Sequence, residues 1–381
     1  MRIVHTESST VMGGQERRVL AESLGMRERG HDVRLVTPAS GVLARRAAAA
    51  GLEVIPLSFR RSLLPATARA LASIVNRLQP DVVNSHSSAD SWTAALARLL
   101  GGRPRALVRS RHISAPVRPG PLHSLLYGQA DWVITTGESV RRDFAESGLV
   151  PLDRSTSIPT GVDLERFSPH PERRAEARGV LGVATEGPVV GVVAYLRRDK
   201  GHAVLLQAMK TVLDSHPTCV LVVVGEGPEL ATLESLAVRL GIRASVQFTG
   251  LREDIPEVLA AFDLFCQPSL RNEGVPQSVV QAAAAALPVV TTEVGGIPEA
   301  VLHERTGFVV PPGEEEALAR GILALLADPA LRREMGEAAR RHVSASFSVK
   351  RMLDSTEEAY AAALRAAGPA TRPTRKSTGT P

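Results

Sequence analysis

Cysteine is almost missing from this 381-residue chain, with Cys219 and Cys266 the whole complement. Each lies in an apolar run without the spacing of a metal site or disulfide framework, so both are expected to be core residues. Aromatic residues make up only 3%, and none is interleaved with basic residues as a base-stacking platform requires, which argues against a nucleic-acid partner. Long apolar runs are missing too. The stretch 281–290 is short and broken by Pro288, well below the about 18 apolar residues of a spanning helix, so membrane contact is expected to be peripheral. The opening residues 1–5 lack the basic flank and apolar stretch of a signal peptide, and a cytoplasmic location is expected. No Asp-x-Asp sequence occurs, so neither a metal nor a resident cofactor is expected.

Hydrophobic residues at 44% and charged residues at 22% are an ordinary globular balance, and the length suits two domains. Residues 1–170 hold 22 Arg and no Lys against 15 Asp plus Glu, and the remainder holds slightly more acid than base. A basic first half favours phosphate-rich ligands or anionic headgroups, although a solvated arginine surface would give the same count.

Short β-branched runs alternate with Ala- and Leu-rich helical stretches almost from end to end, the pattern of an α/β protein with parallel sheets covered on both faces. Strands are expected at 2–6, 32–37, 53–57, 81–85, 106–110, 131–135 and 156–158, then at 188–195, 219–225, 246–248, 264–267, 288–291 and 307–310. The second series repeats the first. The Pro- and Gly-punctuated stretch 158–169 reads as the link between two Rossmann-like domains, 1–168 and 169–346. Residues 314–345 read as helical, a further helix about 347–366 completes the first domain, and the tail 367–381 has nothing to bury and is expected to be disordered.

Two segments suit an anion. Gly13 and Gly14 follow the first strand and let backbone approach a ligand where a helix begins, a site of partial positive charge. The sequence Ser269-Leu270-Arg271-Asn272-Glu273-Gly274-Val275-Pro276-Gln277-Ser278 follows another strand and leads into an Ala-rich helix. Pro276 stands where a missing N–H costs least, and the N–H groups of Val275, Gln277 and Ser278 are free to meet a diphosphate. Glu273 can accept hydrogen bonds from sugar hydroxyls, and Gln281 lies where ribose hydroxyls could reach.

This segment resembles the retaining glycosyltransferases of family 4, whose pattern is a Glu, seven residues, a second Glu, an Ala-rich helix, Leu-Pro-Val-Val and Gly-Gly-Ile-Pro-Glu. Here these are Glu273, Gln281 in place of the second Glu, Leu287 to Val290, and Gly295 to Glu299. The resemblance runs from Met1 to about Ala366 and takes in Gly13-Gly14-Gln15-Glu16. The stretch 158–167 is similar to the family's hinge entry, with Thr160 where Asn is usual. In the segment 194–202, Lys200 matches and Tyr195 replaces the family arginine, so Arg197, ahead of Arg198, is expected to supply the charge. Gly225 and Gly227 resemble a donor-side turn, and Leu251 stands in the region whose backbone meets the base. His86 and, second, His112 with Arg111 end strands on the face where open α/β sheets bind ligands; a histidine at the position of His86 is common in the family.

The resemblance implies a GT-B fold and a nucleotide-diphosphate sugar as donor and co-substrate, held by Gly274, Val275, Pro276, Gln277 and Ser278 among others. It implies catalytic roles for Glu273, Lys200, Arg197 and His86, transfer with retention by front-face attack, and a glycan or lipid-linked acceptor. Cell-surface polysaccharide or lipopolysaccharide synthesis at the inner face of the plasma membrane follows as an expectation. The alternatives are a noncatalytic nucleotide-sugar-binding protein, favoured by Gln281 and Tyr195, and an epimerase or phosphorylase of the same fold. A glycosidase would need a second carboxylic residue beside Glu273, and Gln281 denies it.

Overall fold

The computed structural model describes residues 1–112, 119–183, 186–271 and 273–368. Its first half runs β1 (Arg2–Thr6), α1 (Gly14–Glu28), β2 (Asp32–Thr37), α2 (Val42–Ala49), β3 (Glu53–Pro56), α3 (Leu64–Leu78), β4 (Val82–Ser85), α4 (Ser88–Leu99), β5 (Ala106–Arg111), α5 (Pro121–Gly128), β6 (Trp132–Thr135), α6 (Glu138–Glu146) and β7 (Ser155–Ser157). The second runs α7 (Arg174–Val180), β8 (Val189–Val193), α8 (His202–Ser215), β9 (Val220–Val224), α9 (Leu230–Arg239), β10 (Val246–Gly250), α10 (Ile255–Ala260), β11 (Leu264–Gln267), α11 (Gln277–Ala284), β12 (Val289–Thr292), α12 (Ile297–Ala300), β13 (Gly307–Val310), α13 (Glu315–Ala327) and α14 (Pro329–Ser346). The chain ends in α15 (Val349–Ala366).

Both sheets are parallel, with strand orders β3-β2-β1-β4-β5-β6-β7 and β10-β9-β8-β11-β12-β13. Runs such as Val220-Leu221-Val222-Val223-Val224 are apolar on both faces because helices cover both sides. Chain order reverses between β1 and β4 and between β8 and β11. At such a reversal the loops leave in opposite directions and open a crevice at the strands' C-terminal ends. The segments 7–16 and 86–88 leave one reversal point, and 194–201 and 268–276 leave the other.

The chain crosses between the halves after β7 and again before α15, and the crossings are bonded to each other. Val162 N–H donates to Phe347 O at 2.8 Å, and Val349 N–H donates to Val162 O at 3.2 Å. From there α15 packs on the first sheet, with Met352, Leu353, Tyr360 and Ala363 buried among Ile3, Val19 and Met26.

Strand edges differ from the sequence reading by one or two residues; β7, for example, is 155–157. The expected helix 314–345 is two helices. Asp328 ends α13 and caps α14, its carboxylate accepting from the N–H groups of Ala330 (2.9 Å) and Leu331 (3.0 Å), with Pro329 in the first turn. Pro276 precedes α11 in an extended conformation, as its N-cap. Of the expected tail, residues 369–381 lie outside the described residues.

Candidate active site

The two loops that leave the reversal point of the second sheet place Lys200 beside Glu273. Lys200 Nζ lies 2.5 Å from Glu273 Oε1, and the two side chains are 18% and 7% exposed. Ser269 Oγ donates to the same carboxylate oxygen at 2.6 Å and is itself met by Gln267 Nε2 at 2.8 Å. Leu270 N–H donates to Asp199 O at 2.8 Å and ties the two loops together. Two glycines make this closeness feasible. Gly201 has φ +72°, and a Cβ there would sit 1.8 Å from Pro268 O; Gly295 has φ +58°, and a Cβ there would sit 1.9 Å from Glu273 O.

A cleft of about 990 Å³ opens above this pair, lined by both halves. Gly14, Gln15, His112, Thr136 and Thr160 face it from the first half, and Arg197, Arg198, Asp199, Lys200, Glu229, Arg271, Glu273, Gly274, Val275 and Gln277 from the second. Arg197 holds Asp199 through two bonds of 2.7 Å, and that bonding raises the guanidinium above its ordinary range. Val275 N–H, expected to be free, donates to Thr136 O at 3.4 Å across the halves. Gln277 Nε2 donates to Gly161 O at 3.3 Å, also across the halves. Glu299, in the Gly-Gly-Ile-Pro-Glu stretch, accepts from Glu138 N–H at the start of α6 at 2.7 Å, and burial raises its carboxyl.

Several expected donor contacts are placed elsewhere. Among the described lining residues Gly13, Gly225, Gly227, Leu251, Pro276, Ser278 and Gln281 do not appear. Gly225 and Gly227 serve chain packing: a Cβ at Gly225 would lie 2.0 Å from Ala194 O, and one at Gly227 2.4 Å from Leu196 O. Gly13 begins α1 with its N–H on Glu16 Oε2 at 2.7 Å. Ser278 Oγ turns to Gln267 Oε1 at 3.3 Å. Gln281 is half-buried, and Leu251 and Tyr195 are largely exposed.

In the first half, His86 is 3% exposed and sandwiched in a file of imidazoles. His5 Nδ1 and His86 Nε2 are 2.8 Å apart, His86 Nδ1 and His112 Nε2 are 3.0 Å apart, and the rings stack. Only His112 reaches the cleft; His86 and Arg111 line a smaller cavity beside it, which His112 also lines. Burial lowers all three histidines, His86 and His112 well below the ordinary value. Beneath the file Glu22 accepts from Tyr360 Oη at 2.8 Å and faces Arg18 at 3.6 Å. Glu7, buried and raised by that burial, is the hub of the first Gly-Gly loop, bonded to Ser87, Ser9 N–H (2.9 Å) and Gln15 Nε2 (2.6 Å). Gln15 and Arg271 stand inside the two anion-binding motifs without a role that the sequence assigns, Glu229 has no local signal, and a strand end is the signal for Thr136.

Sequence models of two families cover this arrangement: Glycosyltransferase Family 4 matches residues 12–166 and Glycosyl transferases group 1 matches residues 173–342. The chain is 36% identical over 219 residues to a GDP-mannose-dependent alpha-(1-6)-phosphatidylinositol monomannoside mannosyltransferase of Mycolicibacterium smegmatis, a match spanning 55% of this chain and 57% of that one. It is 31% identical over 297 residues to a GDP-mannose-dependent monoacylated alpha-(1-6)-phosphatidylinositol monomannoside mannosyltransferase of Corynebacterium glutamicum, covering 74% and 77%. A D-inositol 3-phosphate glycosyltransferase of Streptomyces avermitilis is 32% identical over 316 residues, covering 75% and 66%. Among solved structures, a glycosyltransferase from Rickettsia africae superposes with TM-score 0.85 at 22% identity over 96% of this chain and 98% of that one. Anabaena HepE in complex with UDP-glucose gives 0.81 at 23% over 95% and 99%. With two parallel α/β sheets facing a shared cleft and relatives matched over most of their length, the chain is a GT-B protein and belongs to the family 4 glycosyltransferases.

Proposed function

We propose that this protein transfers a hexose from a nucleotide-diphosphate sugar to a hydroxyl of a glycan or lipid-linked acceptor, with retention of configuration and without a metal. The observation that carries the reading is the Lys200–Glu273 pair at the edge of a cleft lined by both halves. Breaking the glycosyl phosphate bond adds negative charge to the leaving diphosphate. A cation about 4 Å away is worth roughly 4 kcal/mol at an effective dielectric of 20, about a thousandfold in rate if felt only in the transition state. Lys200 supplies that charge, Arg197 adds to it, and Glu273 takes the donor sugar's hydroxyls. The bond from C1 to the phosphate oxygen breaks, the acceptor oxygen bonds C1 on the same face, and its proton passes to the leaving phosphate. Thr136, Thr160, Gln15 and His112 face the donor half as the acceptor side, and closure of the cleft would expel competing water.

GDP-mannose in the names of two relatives, and a phosphorylated or lipid-linked inositol acceptor in all three, make GDP-mannose and such acceptors the first pair to try. A role in building surface glycans at the inner face of the membrane fits the arginine-rich first half. Thermal shift against GDP, UDP, ADP, dTDP and CMP, with and without magnesium, tests the donor: one binder at a hundred times its Kd stabilises the fold by about 2.7 kcal/mol. A magnesium-independent shift with one diphosphate, followed by transfer of labelled sugar to a membrane extract, is the expected result. Binding without transfer would favour a noncatalytic sensor; no shift with any nucleotide would sink the proposal.

A further inference from the structure

Glu7 is fully buried where β1 runs into the first Gly-Gly loop, and the groups that reach its carboxylate are uncharged. Oε1 accepts from Ser9 N–H at 2.9 Å and from Ser87 Oγ, and Oε2 accepts from Gln15 Nε2 at 2.6 Å. Among the described residues no lysine, arginine or histidine pairs with it. A buried carboxylate without a cation is costly. A neutral side chain would tie the loop as well. What an ionised carboxylate adds is that it only accepts, so every group against it has to donate.

That requirement decides which end of the Gln15 amide is free. Gln15 lines the cleft, and with Nε2 spent on Glu7 its carbonyl Oε1 is the atom left for a ligand. Gly13 N–H is spent as well, on Glu16 Oε2 at 2.7 Å, so two carboxylates already stand at the start of α1. A phosphate oxygen offers a carbonyl only lone pairs, whereas a hydroxyl offers a proton. We infer that Glu7 is a positioning residue that holds Gln15 carbonyl-first toward the cleft, where it accepts a hydrogen bond from a substrate hydroxyl. The first Gly-Gly loop, expected from the sequence to meet an anion, then reads a sugar or polyol through this side chain. That the hydroxyl belongs to a transferase substrate rests on the proposed function; the orientation of the amide does not.

Glu7→Gln inverts the arrangement without changing its shape. The new amide oxygen stays where Ser9 N–H and Ser87 Oγ donate, its NH₂ takes the place of Oε2, and Gln15 has to turn its own amide over and face the cleft with N–H groups. The first readout is the side-chain amide of Gln15 in the full chain labelled with ¹⁵N-glutamine, assigned by its loss in Gln15→Ala. In the wild type one amide proton is expected downfield and slow to exchange; in Glu7→Gln, shown to be folded by cooperative urea unfolding, both are expected to exchange with solvent. An exchange-exposed amide in the wild type, or one that Glu7→Gln leaves unchanged, overturns the inference. The second readout is calorimetric affinity for GDP-mannose against GDP and for UDP-glucose against UDP, together with transfer of labelled sugar to a membrane extract. Glu7→Gln and Gln15→Ala are each expected to lower the step that contains the hydroxyl contact by about tenfold, and the double variant by no more than either alone. Losses that multiply give Glu7 a role apart from Gln15 and overturn the inference, as does no loss in either variant. Weaker nucleotide-sugar binding with the diphosphate unchanged assigns the hydroxyl to the donor sugar; unchanged binding with slower transfer assigns it to the acceptor. If no nucleotide binds, the transferase reading falls while the amide signals still decide the orientation. Should Glu7→Gln not fold, the wild-type amide exchange and the loss in Gln15→Ala carry the test.

Discussion

Lys200 and Glu273 form an ion pair, so a diphosphate that binds at Lys200 has to compete with a carboxylate for its cation. Removing the carboxylate therefore has opposite effects on binding and on turnover. Glu273→Ala is expected to lower turnover by about 10²-fold or more through loss of sugar positioning, while nucleoside diphosphate affinity holds or rises because Lys200 is released. Lys200→Ala is expected to weaken both. Steady-state kinetics with a direct nucleotide titration separates the two, and a fall in nucleotide affinity in Glu273→Ala would contradict this account. The histidine file makes a second residue-scale prediction. His5 Nε2 and Glu22 Oε2 have no hydrogen-bond partner, and a His5 ring nitrogen lies within 4.8 Å of a Glu22 oxygen. A carboxylate there favours the proton on Nε2 of His5, so His86 and His112 each donate from Nε2 as well, leaving Nδ1 of His112 as a lone pair. Nitrogen chemical shifts from ¹⁵N-labelled protein are expected to show the Nε2–H tautomer at all three, and an Nδ1–H at His112 would refute that polarity. The sequence shows two histidines at strand ends but not which faces the ligand. Ser85 pairs with Arg109, so His86 is level with Ser110 while His112 stands two residues farther out, and register of that kind has no local signal.

At the scale of elements, the strands were legible because β-branched runs buried on both faces have few other uses, and α11 was legible from its alanines. The break between α13 and α14 was not, because a continuous apolar period hid a capping signal, Asp328-Pro329. Replacing Asp328 by Ala removes both cap bonds and is expected to cost about 1 kcal/mol, seen as a lower urea midpoint at an unchanged slope. Gly225 and Gly227 show the converse difficulty. A glycine turn reads the same whether ligand or chain comes close, and here it is the chain. The Gly-Gly-Ile-Pro-Glu stretch was recognised as a motif, but its work, with Gly295 backing Glu273 and Glu299 capping α6, depends on contacts that only the assembled halves provide.

Taken whole, the described residues include three buried histidines, His5, His86 and His202, and the half-buried His112, and withdrawal from solvent lowers each, His202 to about 4. Unfolded imidazoles take up protons near pH 6.5 and the folded ones do not, so the unfolded state binds more protons below that value. Their contribution to stability is complete above pH 6.5 and lost as pH falls toward 4. Asp90, raised to about 7 by burial and by Glu7, opposes this together with Glu7 and Glu299, both raised by burial, three groups against four. Unfolding midpoints in urea are expected to fall between pH 7 and pH 5, and His202→Leu to flatten the fall; an unchanged midpoint would count against the buried neutral state. The return of the chain for α15 has a different consequence, for how such proteins can be cut and recombined. The second half is an insert within the first, entered and left through two segments bonded to each other. A single crossover between two such genes therefore joins the body of one first half to the closing helix of another, and trimming α15 unroofs the first half rather than shortening the second. Exchange of the second half by domain swapping needs two junctions, one at each strand of the Val162–Ser348 bridge.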